Sequence, residues 1–185
     1  MREAAISSIL FSALSKPHEI LEKYYGFKEF RPLQLEIIQS ILDGKDTLAI
    51  LPTGGGKSIC FQVPALINEG ICIVVSPLIA LMKDQVDALN KRNIKALCAT
   101  SEFDYSQIDA IFDRAIYDKD VKFLYLSPER LKTDLAKARI AQMNVSMLAV
   151  DEAHCISEWG YDFRPPYLEI AEIRSLISNT PVIAL

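Results

Sequence analysis

Cysteine, histidine and tryptophan are scarce in this chain: four, two and one among 185 residues. Cys60, Cys72, Cys98 and Cys155 form no CxxC pair, and with so few histidines no structural zinc site is expected. A chain in which 50% of residues are hydrophobic can bury a core without disulfides, so the thiols read as reduced side chains of a cytosolic (or nucleoid-associated) or nuclear protein. No uncharged apolar run reaches the roughly 18 residues of a membrane span, and no membrane partner is expected. Positive charge is also short: 20 Lys and Arg against 24 Asp and Glu leave a formal charge of −4, so nucleic acid would have to be held in a local groove. Internal repeats, low-complexity tracts and Pro/Gly/Ser linkers are absent, which points to one domain. The uncharged run Ala4 to Leu14 follows Arg2 as an export signal would. However, Ile6, Ile9, Leu10, Ala13 and Leu14 share one helical face, and Glu3 does not suit a basic leader.

Short β-branched runs alternate with amphipathic stretches. Residues 46–51, 71–76, 95–99, 122–126, 145–150 and 181–185 read as strands, and 57–68, 78–93, 107–118, 129–138 and 167–178 as helices. The strands are almost wholly apolar, the pattern of a sheet covered on both faces. The expected class is therefore α/β, a mostly parallel doubly wound sheet with helices on both faces. Two further helices, 17–25 and 32–43, each open at a proline and stop at Gly26 and Gly44. Residues 1–44 then form an N-terminal helical segment and 45–185 the sheet-bearing lobe. Ending on a strand with no helix after it, the sequence reads as a fragment.

The strand at 46–51 leads into Pro52-Thr53-Gly54-Gly55-Gly56-Lys57-Ser58 and then a helix. Consecutive glycines let backbone N–H groups turn inward around an anion, and the helix N-terminus adds partial positive charge. Thr53 to Ser58 would cradle phosphates, with Lys57 reaching the β- and γ-phosphates and the Ser58 hydroxyl ligating Mg²⁺. Leu51 stands where the general pattern has its first glycine, so only the tail of that motif matches. A second element joins it. The strand at 145–150 ends in Asp151-Glu152-Ala153-His154, at the sheet edge where ligands of parallel sheets bind. Asp151 would hold Mg²⁺, and Glu152 would orient or deprotonate the attacking water. Together the two elements indicate nucleoside triphosphate hydrolysis.

Five ordered motifs carry a resemblance: Phe27 to Gln34, Leu51 to Ser58, Val75 to Gln85, Tyr125 to Leu131, and Asp151 to Tyr167. From about Tyr24 to Leu185 the chain resembles the N-terminal RecA-like P-loop NTPase lobe of RecQ-family DNA helicases, within helicase superfamily two. The resemblance implies adenine recognition by Phe27 (stacking), Arg31 (a cationic contact) and Gln34, whose amide can donate and accept at once. Where the family pattern has glycine this chain has Leu33, which the pattern places inside a helix. Ser76-Pro77 and Ser127-Pro128 each open a helix at the active edge, either touching a nucleic-acid backbone, as the family implies, or serving as ordinary helix caps.

The stretch Ile156 to Tyr167 is denied a regular helix by its glycine and prolines. Trp159, Tyr161 and Phe163, with Arg164, would stack single-stranded bases, and in the family this loop relays DNA binding to ATP hydrolysis. Tyr161 stands where many members have histidine, and a phenol cannot act as a cation at neutral pH. The resemblance gives His154 the role of linking the γ-phosphate region to the DNA side, whereas a lone histidine could also be satisfied locally. It further implies ATP and Mg²⁺ as ligands, DNA with a single-stranded region as partner, 3′-to-5′ polarity, and a second RecA-like lobe with an arginine finger. That finger being worth ~10³ to 10⁵ in rate, the isolated chain is expected to hydrolyse ATP feebly and not to unwind duplexes. The alternative is a nucleotide- or nucleic-acid-binding module without turnover. An RNA-remodelling relative is disfavoured by the aromatic loop, and a GTPase by the lack of an acidic residue in Asn90-Lys91-Arg92-Asn93.

Overall fold

A computed structural model describes residues 15–52, 54–157, 164–168 and 170–185. The helical face expected before residue 15 lies outside these, as do Thr53, Trp159, Tyr161 and Phe163. Six strands form one sheet: β1 (Thr47–Leu48), β2 (Ile71–Val75), β3 (Lys95–Ala99), β4 (Val121–Leu126), β5 (Val145–Val150) and β6 (Val182–Ala184). Every neighbouring pair is parallel, in the order β1-β6-β5-β2-β4-β3. The expected doubly wound α/β architecture follows from the alternation of side chains across the pleat. Ile71, Ile73, Val75, Leu124, Leu126, Leu148 and Val150 face one core, and Cys72, Val74, Phe123, Tyr125, Met147 and Ala149 face the other.

The first core is roofed by α5 (Tyr105–Tyr117), α7 (Asp134–Ile140) and the short α8 (Ile170–Ile173). The second is roofed by α2 (Gln34–Leu42), α3 (Lys57–Ile67) and α4 (Ile79–Asn90), with helical residues 15–25 as α1. Among the described residues no helix is long and apolar enough to cross a membrane. The strand after residue 46 is shorter than expected. It pairs only with β6, itself three residues long, and after the bond from the Ala49 amide to the Ala184 carbonyl (2.8 Å) the chain leaves the sheet with Ile50 83% exposed.

Three helices differ from the sequence pattern for local reasons. The span 129–138 is two helices, α6 (Pro128–Leu131) and α7, because the Thr133 hydroxyl accepts from the Ala136 amide (3.2 Å) and starts a new N-terminus. The span 167–178 is a 3₁₀ turn (Pro165–Tyr167), then α8, then turns in which the Ser175 hydroxyl bonds the Glu172 carbonyl (2.8 Å), an alternative to the helical ladder. The span 78–93 stops at Asn90, beyond which Asn93 takes φ 59°.

Pro32 does not open α2. It is the second residue of a turn closed by the bond from the Gln34 amide to the Arg31 carbonyl (3.1 Å), with Leu33 at φ 70°, ψ −16°. These are type II turn angles, which suit proline at the second position and glycine at the third. Leu33 is thus a strained turn residue and not a helical one. With a side chain that is largely exposed and supplies little packing, Leu33→Gly is expected to raise stability by about 1 kcal/mol, measured by urea unfolding. An unchanged or lower midpoint would show that the turn carries no such strain.

Candidate functional site

Because the sheet is parallel, the segments after β1, β2, β4 and β5 all emerge at its C-terminal edge. There a cavity of about 610 Å³ is lined by Phe27, Arg31, Gln34, Gly54, Gly56, Lys57, Ser58, Asp151 and Glu152, together with Leu81 and Gln85 of α4. The fold therefore gathers the three motifs singled out for nucleotide chemistry around one space, although in sequence they are spread from Phe27 to Glu152.

The glycine loop is built on its own backbone. Gly55 donates to the Pro52 carbonyl (2.9 Å), while Gly54 and Gly56 take φ 76° and 78°, the left-handed region that glycine enters without strain. Gly56 precedes α3 and offers no side-chain cap, so the first N–H groups of an eleven-residue helix stay available to an anion. The turn at Pro32 clasps this loop. The Gln34 side chain, almost fully buried, accepts from the Arg31 amide (2.9 Å) and donates to the Gly55 and Gly56 carbonyls (3.2 Å each). The Arg31 guanidinium donates to the Gly54 carbonyl. Both faces of the Gln34 amide are thus engaged within the protein, and an adenine edge would have to exchange with these partners. Phe27, largely exposed, presents an open ring to the same cavity.

Asp151 is buried at the end of β5. Its carboxylate accepts from the Ser76 hydroxyl (3.3 Å) and the Glu152 amide (3.1 Å). Burial, with the neighbouring Glu152 charge second, holds its pKa above the ordinary aspartate range, opposed by the Ser76 bond, the Glu152 amide and Lys57. Glu152 adopts φ 52°, ψ 44°, a left-handed conformation costly for a side chain of its kind. His154 Nδ1 lies 3.2 Å from Glu152 Oε2, so His154 meets the acid pair directly, and it also lines an apolar cavity of about 550 Å³ with Ile50, Ile156, Tyr167 and Leu185.

Ser76 and Ser127, expected either to touch a nucleic-acid backbone or to cap helices, are both buried. Ser76 is 0% exposed with its hydroxyl turned to Asp151, and Ser127 accepts from the Arg130 amide (3.2 Å) as the cap of α6. Pro77 keeps partial exposure, and its carbonyl accepts from the Arg164 guanidinium (3.2 Å). Arg164 is thereby tied to the segment after β2, and its own amide bonds the Cys155 carbonyl (2.9 Å). Sequence reasoning missed the Tyr167 hydroxyl, which donates to the Asp151 carbonyl (2.9 Å), and the Ser76 bond to Asp151. Neither leaves a spacing signal, since the Ser76 bond depends on the pairing of β2 with β5 and the Tyr167 bond on where the 3₁₀ turn Pro165–Tyr167 packs.

Known proteins agree with this geometry. A model of the DEAD/DEAH box helicase family matches residues 31–184. The ATP-dependent DNA helicase RecQ of Pasteurella multocida (strain Pm70) is 42% identical over 90% of this chain, which covers 26% of that protein. RecQ of Bacillus subtilis (strain 168) is 44% identical over 92% of this chain, which covers 29% of that protein. The chain thus spans less than a third of the length of either relative. The crystal structure of the DUF1998 helicase MrfA bound to DNA superposes with a TM-score of 0.68 over 91% of this chain and 26% of its own, at 17% identity, a likeness of fold. With the glycine loop, the acid pair and the Pro32 turn on one cavity, and a family match over most of its length, the chain belongs to the DEAD/DEAH box helicases and is similar to their RecQ members.

Proposed function

We propose that this chain is the N-terminal motor lobe of a RecQ-like ATP-dependent 3′-to-5′ DNA helicase, with residues 1–44 adding adenine recognition to an ATP-binding lobe at 45–185. The observation that carries this reading is the single cavity shared by Gln34, Lys57, Ser58, Asp151 and Glu152. Its donor chemistry fits Mg²⁺–ATP: a hydroxyl and a carboxylate are hard oxygen ligands for Mg²⁺, and the glycine-loop amides and Lys57 suit polyphosphate. When bound, Mg²⁺–ATP supplies the phosphoryl group whose transfer to water drives the motor.

The residues divide that work. Phe27 stacks on adenine, Arg31 adds a cationic contact, and Gln34 reads the base edge once it leaves the glycine loop. Thr53 to Gly56 and Lys57 hold the phosphates, and Ser58 with Asp151 holds the metal. Glu152 orients the water and takes its proton, and His154, against Glu152, carries the state of the site toward the DNA side. Single-stranded DNA runs over Pro77 and Arg164 and stacks on Trp159, Tyr161 and Phe163. A second lobe completes the site, in the nucleoid or the nucleus where DNA lies.

Binding of Mg²⁺–ATP to the 185-residue chain, followed by calorimetry, tests the core of this reading. Lys57→Ala is expected to weaken binding by about tenfold or more, since it removes a charge-assisted contact worth about 1.5–3 kcal/mol. Gln34→Ala is expected to abolish preference for ATP over GTP. Equal affinity of both variants and the parent chain would overturn the assignment.

A further inference from the structure

A row of buried and half-buried polar side chains crosses the second core beside the nucleotide cavity. The Tyr25 hydroxyl of α1 donates to Gln62 Oε1 of α3 (2.8 Å), and Gln62 stands beside the Tyr125 hydroxyl of β4. Tyr125 in turn donates to Gln85 Oε1 of α4 (2.9 Å). Tyr125 is wholly buried, and Gln62 nearly so. Burial holds both phenols neutral, so each has one proton to give: Tyr25 gives its proton to Gln62 and Tyr125 gives its proton to Gln85.

That sense settles what Gln85 offers. With Oε1 turned to Tyr125, the end of the amide that Tyr125 does not engage is Nε2, a donor of two protons on a residue that lines the cavity. The Tyr125 end of the row is close to the acid pair, since Val74 of β2 pairs with Tyr125 on one side and with Ala149, shortly before Asp151, on the other. An acceptor there would add to the repulsion that Asp151 and Glu152 exert on an anion, whereas a donor offsets it. We propose that Gln85 is a nucleotide-binding residue whose Nε2 donates to a phosphate oxygen of bound Mg²⁺–ATP, with Tyr125 as the positioning residue that holds its amide in that sense. This rests on the nucleotide reading of the cavity and adds α4 to its phosphate-binding elements.

Calorimetric titration of the 185-residue chain with Mg²⁺–ATP and, separately, adenosine tests it on Gln85→Glu, Gln85→Ala and Tyr125→Phe, with Lys57→Ala alongside. Gln85→Glu keeps the shape but exchanges the donor for a charged acceptor. It is expected to weaken Mg²⁺–ATP about tenfold, equivalent to about 1.4 kcal/mol, and to leave adenosine unchanged. Gln85→Ala should lose roughly threefold to tenfold, and Tyr125→Phe, which frees the amide to flip, about threefold, again with adenosine unaffected. Unchanged ATP affinity in Gln85→Glu, with Lys57→Ala weakened, overturns the proposal and spares the nucleotide reading. Equal losses for ATP and adenosine, with a lowered unfolding temperature, overturn it in favour of a purely structural row. If Lys57→Ala also binds as the parent does, the nucleotide reading falls and this inference with it.

Discussion

Alanine at position 56 is expected to weaken Mg²⁺–ATP binding by more than about tenfold and to destabilise the fold by about 1–2 kcal/mol. Two independent costs meet there. Gly56 has φ 78°, a region in which any Cβ is strained, and a Cβ at that position would lie 2.4 Å from Gln34 Nε2. The second conflict is relieved only by expelling the Gln34 amide from the glycine-loop carbonyls it now bridges. Unfolding and ATP titration of Gly56→Ala, Gln34→Ala and the double variant separate the two. In the Gln34→Ala background the steric part vanishes and only the backbone cost is left, so the substitutions should be non-additive. Strict additivity would show that Gln34 and the loop do not meet as described.

Asp151→Asn is expected to make the ligand-free protein more stable at neutral pH while removing the Mg²⁺-dependent part of ATP affinity. The folded state raises the Asp151 pKa, chiefly by burial and then by the Glu152 charge, so it binds this proton more readily than the unfolded chain does. For a raised carboxylate pKa, stability falls as pH climbs from the ordinary aspartate value through the folded one, and the full penalty is present above it. Asparagine has no charge to desolvate, keeps an oxygen for the Glu152 amide, and can donate its Nδ2 proton to the Ser76 hydroxyl oxygen. The variant should therefore melt higher at pH 7, by about 2–4 °C for each kcal/mol relieved, with the gap closing as pH falls toward the aspartate range. Thermal scans across pH check the first half and Mg²⁺ titration of ATP binding the second. A variant that melts lower at pH 7 would mean that the carboxylate is stabilised in place and not held there at a cost.

Much of this was legible because the signals are local. The apolar runs gave β3 and β5 to the residue, and Lys57 opens α3 where the glycines stop. Glycine loop and acid pair could be joined before any coordinates, since parallel sheets bring their strand ends to one edge. What escaped depends on partners far away in sequence or on conformations that residue type argues against. Nothing in Arg31-Pro32-Leu33-Gln34 marks Leu33 as left-handed, because leucine suits a helix and proline suits both a helix start and a turn. Ser76 and Ser127 looked alike, each before a proline at a strand end, yet one bonds a carboxylate from another strand and the other caps its own helix. The break at Thr133 was hidden because threonine is tolerated inside helices as well as before them.

The pairing of β1 with β6 also bears on how the protein is made. Thr47 and Leu48 pair with Ile183 and Ala184, and Asp46 accepts from the Val182 amide (2.9 Å) and meets Arg174 (3.0 Å). The strand that feeds the glycine loop has no ladder partner until more than a hundred further residues have left the ribosome, whereas β2, β4 and β5 can assemble among themselves earlier. During synthesis the central sheet can therefore form before the strand that leads into the phosphate-binding loop has its ladder partner, and until then that loop is held only from its own side of the chain, by Arg31 and Gln34.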